Sequence, residues 1–220
     1  MVVHDFPIEA GSAEHTGRTL PLLADRLADE SGWRVLAGCL RGVGGSAGDF
    51  SPTGWIEDLR AFVGYAAELA VGGGVWVVGF GVGGTVALCE AASDDRVRGV
   101  GCLGSPASLD EWAHDPKAML SSARRIGLVT APEFPTDVGA WARQFTQLQP
   151  LAAARALEER EVLVVHGSDD DEVPVTDAKQ LADAAGRGGE LRVLAGAGHR
   201  LRGDPRALAL LIGWLERQRP

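Results

Sequence analysis

The stretch Val75-Trp76-Val77-Val78-Gly79-Phe80-Gly81-Val82-Gly83-Gly84, followed by Thr85-Val86-Ala87-Leu88, decides how this chain is read. Its apolar, valine-rich start predicts a strand buried on both faces. Glycines then allow a sharp turn, and a helix opens directly behind it. Gly79 and Gly83 stand where strand and helix approach too closely for side chains. Gly81 is the apex, where a residue other than glycine would carry backbone strain of about 1–3 kcal/mol.

Outward from this unit, short apolar runs alternate with amphipathic segments. The runs are Val2-Val3, Trp33 to Ala37, Val75 to Gly79, Val97 to Leu103, Val162 to Val165 and Leu191 to Leu194. Helices are predicted over Arg18 to Glu30, Thr53 to Ala70, Thr85 to Ala92, Val175 to Ala185 and Pro205 to Gln218. Thr53 precedes a periodic run, and Asp204-Pro205 sets a capping residue before a first-turn proline. The alternation implies right-handed crossovers and one α/β domain over residues 1–220, with a mostly parallel, doubly wound sheet of about six strands. Residues 105–161 break the rhythm with Trp112, Trp141 and several prolines. Helices without a strand are expected there, either as a cap inserted over the C-terminal edge of the sheet or as ordinary helical packing.

The net charge of −9 disfavours nucleic acid and anionic membrane as partners. Cys39, Cys89 and Cys102 cannot all pair and lack metal-ligand spacing, so reduced thiols in a cytoplasmic protein are expected, with no metal. The N-terminus lacks the basic and apolar regions of a signal peptide. Leu69 to Cys89 is uncharged and about long enough to span a bilayer. Gly72-Gly73-Gly74 and the glycines of the turn interrupt it, which suits a strand–turn–helix unit and no membrane span.

The turn has the layout of a nucleophile elbow, G-x-S-x-G, with Gly81 in place of the serine. The helix behind it offers free N–H groups to an anion, led by Val82. Further on, Val162 to His166 predicts a strand whose end carries Gly167-Ser168-Asp169-Asp170-Asp171-Glu172. A carboxylate therefore stands at the C-terminal edge of the sheet, with Asp170 the best candidate and Asp169 and Asp171 beside it. Leu191 to Leu194 then leads through Ala195-Gly196-Ala197-Gly198 to His199. Elbow, acid and histidine in that chain order match one specific triad layout.

On these residues the chain resembles the α/β-hydrolase superfamily over nearly its whole length. Arg41-Gly42-Val43-Gly44-Gly45-Ser46 resembles the arginine–glycine loop after the family's fourth strand, and His4-Asp5-Phe6-Pro7 its His-Gly-x-Pro oxyanion loop. The resemblance implies a three-layer fold with a small helical cap, lacking the family's first two strands. It makes Asp170 the triad acid, His199 the triad base and Gly81 a vacant nucleophile position, with the N–H groups of Val82 and Phe6 as oxyanion hole. Three departures carry weight, one being that the chain begins at what should be the family's third strand, so that the first two strands are expected to be absent. Gly81 cannot form an acyl-enzyme, and Asp5 replaces a glycine where a carboxylate would oppose a developing oxyanion. Ser105, after the next strand, reads as a turn serine rather than a substitute.

Gly79-x-Gly81-x-x-Gly84 also fits a dinucleotide-binding pattern. The next strand, however, ends in Gly104-Ser105 without the acid that would hold a ribose, so no cofactor is expected. Two functions stay open. One is an atypical hydrolase acting through a His199/Asp170 base dyad on an ester or other small carbonyl compound. The other is a catalytically inactive relative serving as a small-molecule binding or structural module. For a free dyad, a His199 pKa near neutrality is expected, and Gly81→Ser is expected to restore ester hydrolysis.

Overall fold

A computed structural model describes residues 1–70, 74–157 and 159–219; Gly72 and Gly73 of the glycine interruption lie outside the described residues. The described strands are β1 (Val2–Val3), β2 (Ala37–Gly38), β3 (Val75–Phe80), β4 (Val97–Leu103), β5 (Glu161–Gly167) and β6 (Gly189–Leu194). They form one six-stranded sheet in the order β2-β1-β3-β4-β5-β6, every pairing parallel. The helices are α1 (Ser12–Ser31), α2 (Pro52–Leu69), α3 (Val82–Ala91), α4 (Asp110–His114), α5 (Pro116–Arg125), α6 (Val138–Gln147), α7 (Pro150–Ala156), α8 (Val175–Ala184) and α9 (Pro205–Arg217).

The strand residues alternate between two cores, as a period of two requires. Val77, Val162 and Val164 pack with Trp55 and Leu59 of α2, Val86 and Leu88 of α3 and Leu181 of α8. Val78, Leu163 and Val165 pack with Leu20 and Leu27 of α1 and Leu211 and Trp214 of α9. The result is three layers, helix–sheet–helix. The chain leaves β1 towards β2 on one side, while β3 pairs on the other. The C-terminal ends of β1 and β3 therefore border the switch point of the sheet, where the connections diverge and a crevice opens. Residues 4–8 and the glycine turn face each other across it.

Two elements differ from the sequence expectation. Helix α1 starts at Ser12 rather than Arg18 because Gly11, at φ 80°, turns the chain, and Ala13 and Thr16 extend the buried stripe of Leu20, Leu23 and Leu27. Strand β2 is Ala37–Gly38 rather than Trp33 to Ala37. Its partner β1 has only Val2 and Val3 to offer, in register with Ala37 and Gly38. Trp33 instead packs at the sheet edge, its indole N–H donating to the Leu215 carbonyl at 3.1 Å. Helix α2 is capped by Ser51, whose hydroxyl accepts from the Gly54 N–H at 3.1 Å, and α9 by Asp204. Between β4 and β5 lie α4 to α7, with no strand among the described residues. No described helix is long and apolar enough to cross a membrane.

The glycine turn is as tight as its sequence implies, with one refinement. A Cβ on Gly79 would run into the backbone of Gly83 and Gly84, so strand and helix do touch there. A Cβ on Gly83 would instead strike the carbonyl oxygen of His4, so that glycine is required by the chain leaving β1. We expect Gly79→Ala to lower the urea-unfolding free energy by about 1–3 kcal/mol or to prevent folding. Gly213→Ala, in α9 with open space around the new methyl group, should raise it by about 0.5–1 kcal/mol.

Candidate active site

The site is built at the ends of β1, β3, β5 and β6. Gly81 follows β3 directly, at φ 50°, ψ −126°, and stands at the N-cap of α3 without a side chain to cap it. Its N–H donates to the Leu103 carbonyl at 2.8 Å, and its carbonyl accepts from Gly84 at 3.0 Å. The first free amide of the helix is that of Val82.

The loop after β1 fills the space above. His4 is fully buried; its Nε2 accepts from the Leu40 N–H at 3.0 Å, and its Nδ1 donates to the Asp5 carbonyl at 2.7 Å. Burial, only partly offset by that hydrogen bond and the Asp5 charge, lowers its pKa to about 4, so the ring is neutral. With His4 fixed on both nitrogens, Asp5 is directed over the glycine apex. Asp5 Oδ1 accepts from the Val82 N–H at 2.9 Å and from the Phe6 N–H at 2.6 Å. A Cβ at position 81 would coincide with this carboxylate. The two amides expected to form an oxyanion hole are thus brought together, and the oxygen they hold belongs to the protein. Phe6 is anchored by its ring, which meets Phe50 at 5.1 Å and Trp112 at 4.8 Å edge-on.

His199 closes the arrangement. Its Nδ1 lies 2.9 Å from Asp170 Oδ2 and its Nε2 lies 3.0 Å from Asp5 Oδ2. Burial opposes the charge on the imidazole. The hydrogen bond and charge of Asp5, then those of Asp170, outweigh it and raise the pKa from 6.5 to about 9. At neutral pH the ring is an imidazolium donating from both nitrogens. A dyad with a histidine near neutrality is therefore not what the geometry provides, because a second carboxylate stands on the outer nitrogen.

Asp170 is the acidic-loop residue that reaches the site. Its side chain is fully buried, its Oδ1 accepts from the Glu172 and Val173 amides at 3.0 and 2.8 Å, and its Oδ2 faces His199. Asp169 turns away to take the Ser168 hydroxyl at 2.6 Å, and Asp171 is exposed. Three groups went unassigned in the sequence reading. Buried His166 lies 3.2 Å from Asp170 Oδ2. Glu172 lies 3.9 Å from His199 Nε2, its pKa raised first by burial. Half-buried Arg202 lines the cleft, and burial lowers its pKa against the pull of Asp5. His166 and Glu172 flank motif residues, which is the signal that could have found them; Arg202 had none.

Ser105 is fully buried, its hydroxyl against Gly84 and without a hydrogen-bond partner among the described residues. It does not enter the cleft. The Cys89 thiol is pushed up to about 12 by burial, as an inert thiol should be. No described cluster of His, Cys, Asp and Glu has the arrangement of a metal site.

The cleft itself has a volume of about 710 Å³, with Asp5, Gly81, Glu172 and His199 in its wall. A second hollow of about 370 Å³ shares those four and reaches Trp112 and Pro174. Residues 3–209 match the model of the alpha/beta hydrolase family. The chain belongs to that family. A monoacylglycerol lipase from Paleococcus ferrophilus is similar in fold, with a TM-score of 0.64 at 17% identity over 98% of this chain and 93% of that one. A meta-cleavage product hydrolase from Pseudomonas fluorescens gives 0.66 at 18% identity, over 99% and 91%. A thermophilic esterase from Thermogutta terrifontis gives 0.67 at 20%, over 98% and 88%. No curated protein sequence matches the chain significantly.

Within this hydrolase fold, the imidazolium is held between two carboxylates, which makes it titratable evidence of the arrangement. The His199 midpoint followed by NMR should lie near pH 9 and fall by about 1–3 pH units in Asp5→Asn. A midpoint unchanged in the variant would remove Asp5 as its partner. A histidine that binds its proton more tightly when folded stabilises fully below pH 6.5 and loses that contribution as pH rises towards 9. The melting temperature of the wild type should therefore drop more between pH 6.5 and 9 than that of Asp5→Asn.

Proposed function

We propose that this chain is an atypical small-molecule hydrolase that works without a serine acyl-enzyme, its proton relay being His199 and Asp170 with Asp5 as a third member. The observation that carries this reading is the Asp5 carboxylate, seated on the Val82 and Phe6 amides and against His199 Nε2. A cleft that keeps an oriented imidazole, its buried acid and two convergent amides has the parts of a hydrolytic site. Gly81 excludes covalent attack from the elbow. With its pKa raised to about 9 by the two carboxylates, His199 carries its proton at pH 7. The imidazolium is therefore the resting acid, and it becomes a base only when the Asp5 charge is removed or masked. The ligand is a small ester-like or other carbonyl-related electrophile, by analogy with the lipase and esterase of the same fold. Helices α4 to α7, with Trp112 at the cleft wall, act as a small cap. The unpaired thiols of Cys39, Cys89 and Cys102 support a cytoplasmic setting.

A second reading is favoured by the same carboxylate. Asp5 satisfies both amides and the imidazolium without any ligand, as a non-catalytic binding module would tolerate.

A serine-directed fluorophosphonate should leave the wild type unlabelled; stoichiometric labelling would show that a serine serves and would overturn the proposal. Gly81→Ser alone should gain no activity on p-nitrophenyl acetate, because its Cβ meets Asp5. The double variant Asp5→Gly/Gly81→Ser, which empties the amide pair and supplies a hydroxyl, should exceed the wild type by about 10²-fold or more. Failure of the double variant to hydrolyse the ester would mean that His199 is not placed to activate a nucleophile at the apex.

A further inference from the structure

We infer that Arg202 is an anion subsite of this cleft, and that the ligand carries a carboxylate on one arm, held by the Arg202 guanidinium, and an apolar group on the other. This rests on the reading of the cleft as a hydrolytic site for a small carbonyl compound and narrows that compound.

Arg202 is the cation that the cleft leaves without a partner. Two arginines and the His199 imidazolium line the 710 Å³ hollow. His199 lies between Asp5 and Asp170. Arg200 donates to Glu9 Oε1 at 2.8 Å. The Arg202 guanidinium has no hydrogen bond or ion pair among the described residues; only burial and the charges of Asp5 and Cys39 act on it. Asp5 does not close on it, because Oδ1 is held by two amides and Oδ2 by His199.

The guanidinium is also held at a fixed offset from the imidazole. It belongs to the short turn Leu201–Gly203, directly behind His199. Leu201 is buried in the core, its N–H donates to the His199 carbonyl at 2.7 Å, and its carbonyl accepts from the Asp204 N–H at 3.1 Å. One anchored segment thus presents both groups to the cleft. Arg202 is half-buried, and burial disfavours its charge. A partly desolvated cation without a partner is a state that a ligand anion relieves. In such a wall a guanidinium–carboxylate pair is stronger than on open surface. A single guanidinium fork matches the two oxygens of one carboxylate. A phosphate dianion would call for a second cation, and Arg200 is already taken by Glu9.

The second hollow sets the other arm. It meets the first at Asp5, Gly81, Glu172 and His199. Beyond that junction its wall includes Val82, Pro106, Trp112 and Pro174. It adds the carboxylates of Glu111 and Asp177, and no arginine or lysine among the described residues. An anion is opposed there, and an apolar group is accepted. A carbonyl placed at His199 therefore has its acid arm towards Arg202 and its apolar arm towards Trp112. That polarity fixes which way round the ligand enters.

Ligand-observed NMR on the full chain at neutral pH tests the subsite with two ketones that water does not cleave, levulinate and its uncharged counterpart levulinamide. Levulinate should bind about 10- to 100-fold more tightly, as expected of one charged hydrogen-bonded pair. Arg202→Gln should bring the two affinities together by weakening levulinate alone, and Arg202→Lys should keep part of the preference. An arginine with a merely structural role would move both ligands equally. A check that needs no variant is the Arg202 Nε–H resonance, which should shift with levulinate and not with levulinamide. Equal affinities in the wild type, a preference that survives Arg202→Gln, an unmoved resonance, or binding of neither ketone would overturn the inference. Benzyl hydrogen succinate, an ester with the same acid arm, tests the underlying reading separately. Preference for levulinate without release of benzyl alcohol would keep the Arg202 subsite, on a binding module, and remove hydrolysis. Release without a charge preference would keep hydrolysis and remove the subsite.

Discussion

Everything around the cleft depends on one contact, the Asp5 carboxylate seated on the N-terminus of α3. The first amides of a helix lack partners within it, and a glycine N-cap has no side chain to supply one. Here the cap comes from another element, across the switch point of the sheet, with Oδ1 on Val82 and Phe6. The helix dipole, two amides and an imidazolium all favour the anion in that position. The surrounding residues make sense as conditions for it. Gly81 leaves the space, Gly83 lets the chain leave β1 past the helix, and buried His4 fixes the backbone from which Asp5 projects.

That contact rearranges the electrostatics of the site. In a serine-type hydrolase the amide pair waits for charge to develop on the substrate, and the outer imidazole nitrogen faces a hydroxyl. In this chain both are engaged by a resting negative charge. The imidazole answers by keeping its proton, and Glu172 and Arg202 add one charge of each sign to the rim. The charge on His199 therefore depends on the carboxylate of Asp5 as much as on that of Asp170. The fold is unaffected, since the three layers are held by Trp55, Trp214 and the valine strands well below the cleft.

Much of this architecture was readable in advance because it rests on local rules. Val162 to Val165 and Val97 to Leu103 are long enough to show continuous burial, and both became strands with close boundaries. The glycine turn announced itself, since only glycine allows so close an approach, and the order of elbow, Asp170 and His199 pointed to the atoms that meet. The short β1–β2 pairing was less legible. Two residues carry no periodicity, and the ladder ends where the partner strand ends. Helix α1 was read short because its first turns, Ser12 to Gly17, present mostly polar residues.

By itself, the sequence determined the family, the layered sheet, the glycine at the apex of the tight turn and the pairing of Asp170 with His199. These follow from residue type and spacing along one element or in chain order. Only the tertiary structure decided what Asp5 does. As a string of letters, Asp5 was an unwelcome charge beside an anion site. Its role depends on where β1 and β3 lie in the sheet, and on the His4 clamp that aims it. Those positions come from contacts between residues 4, 40, 81 and 199, and no spacing along a single element encodes a distance across a fold.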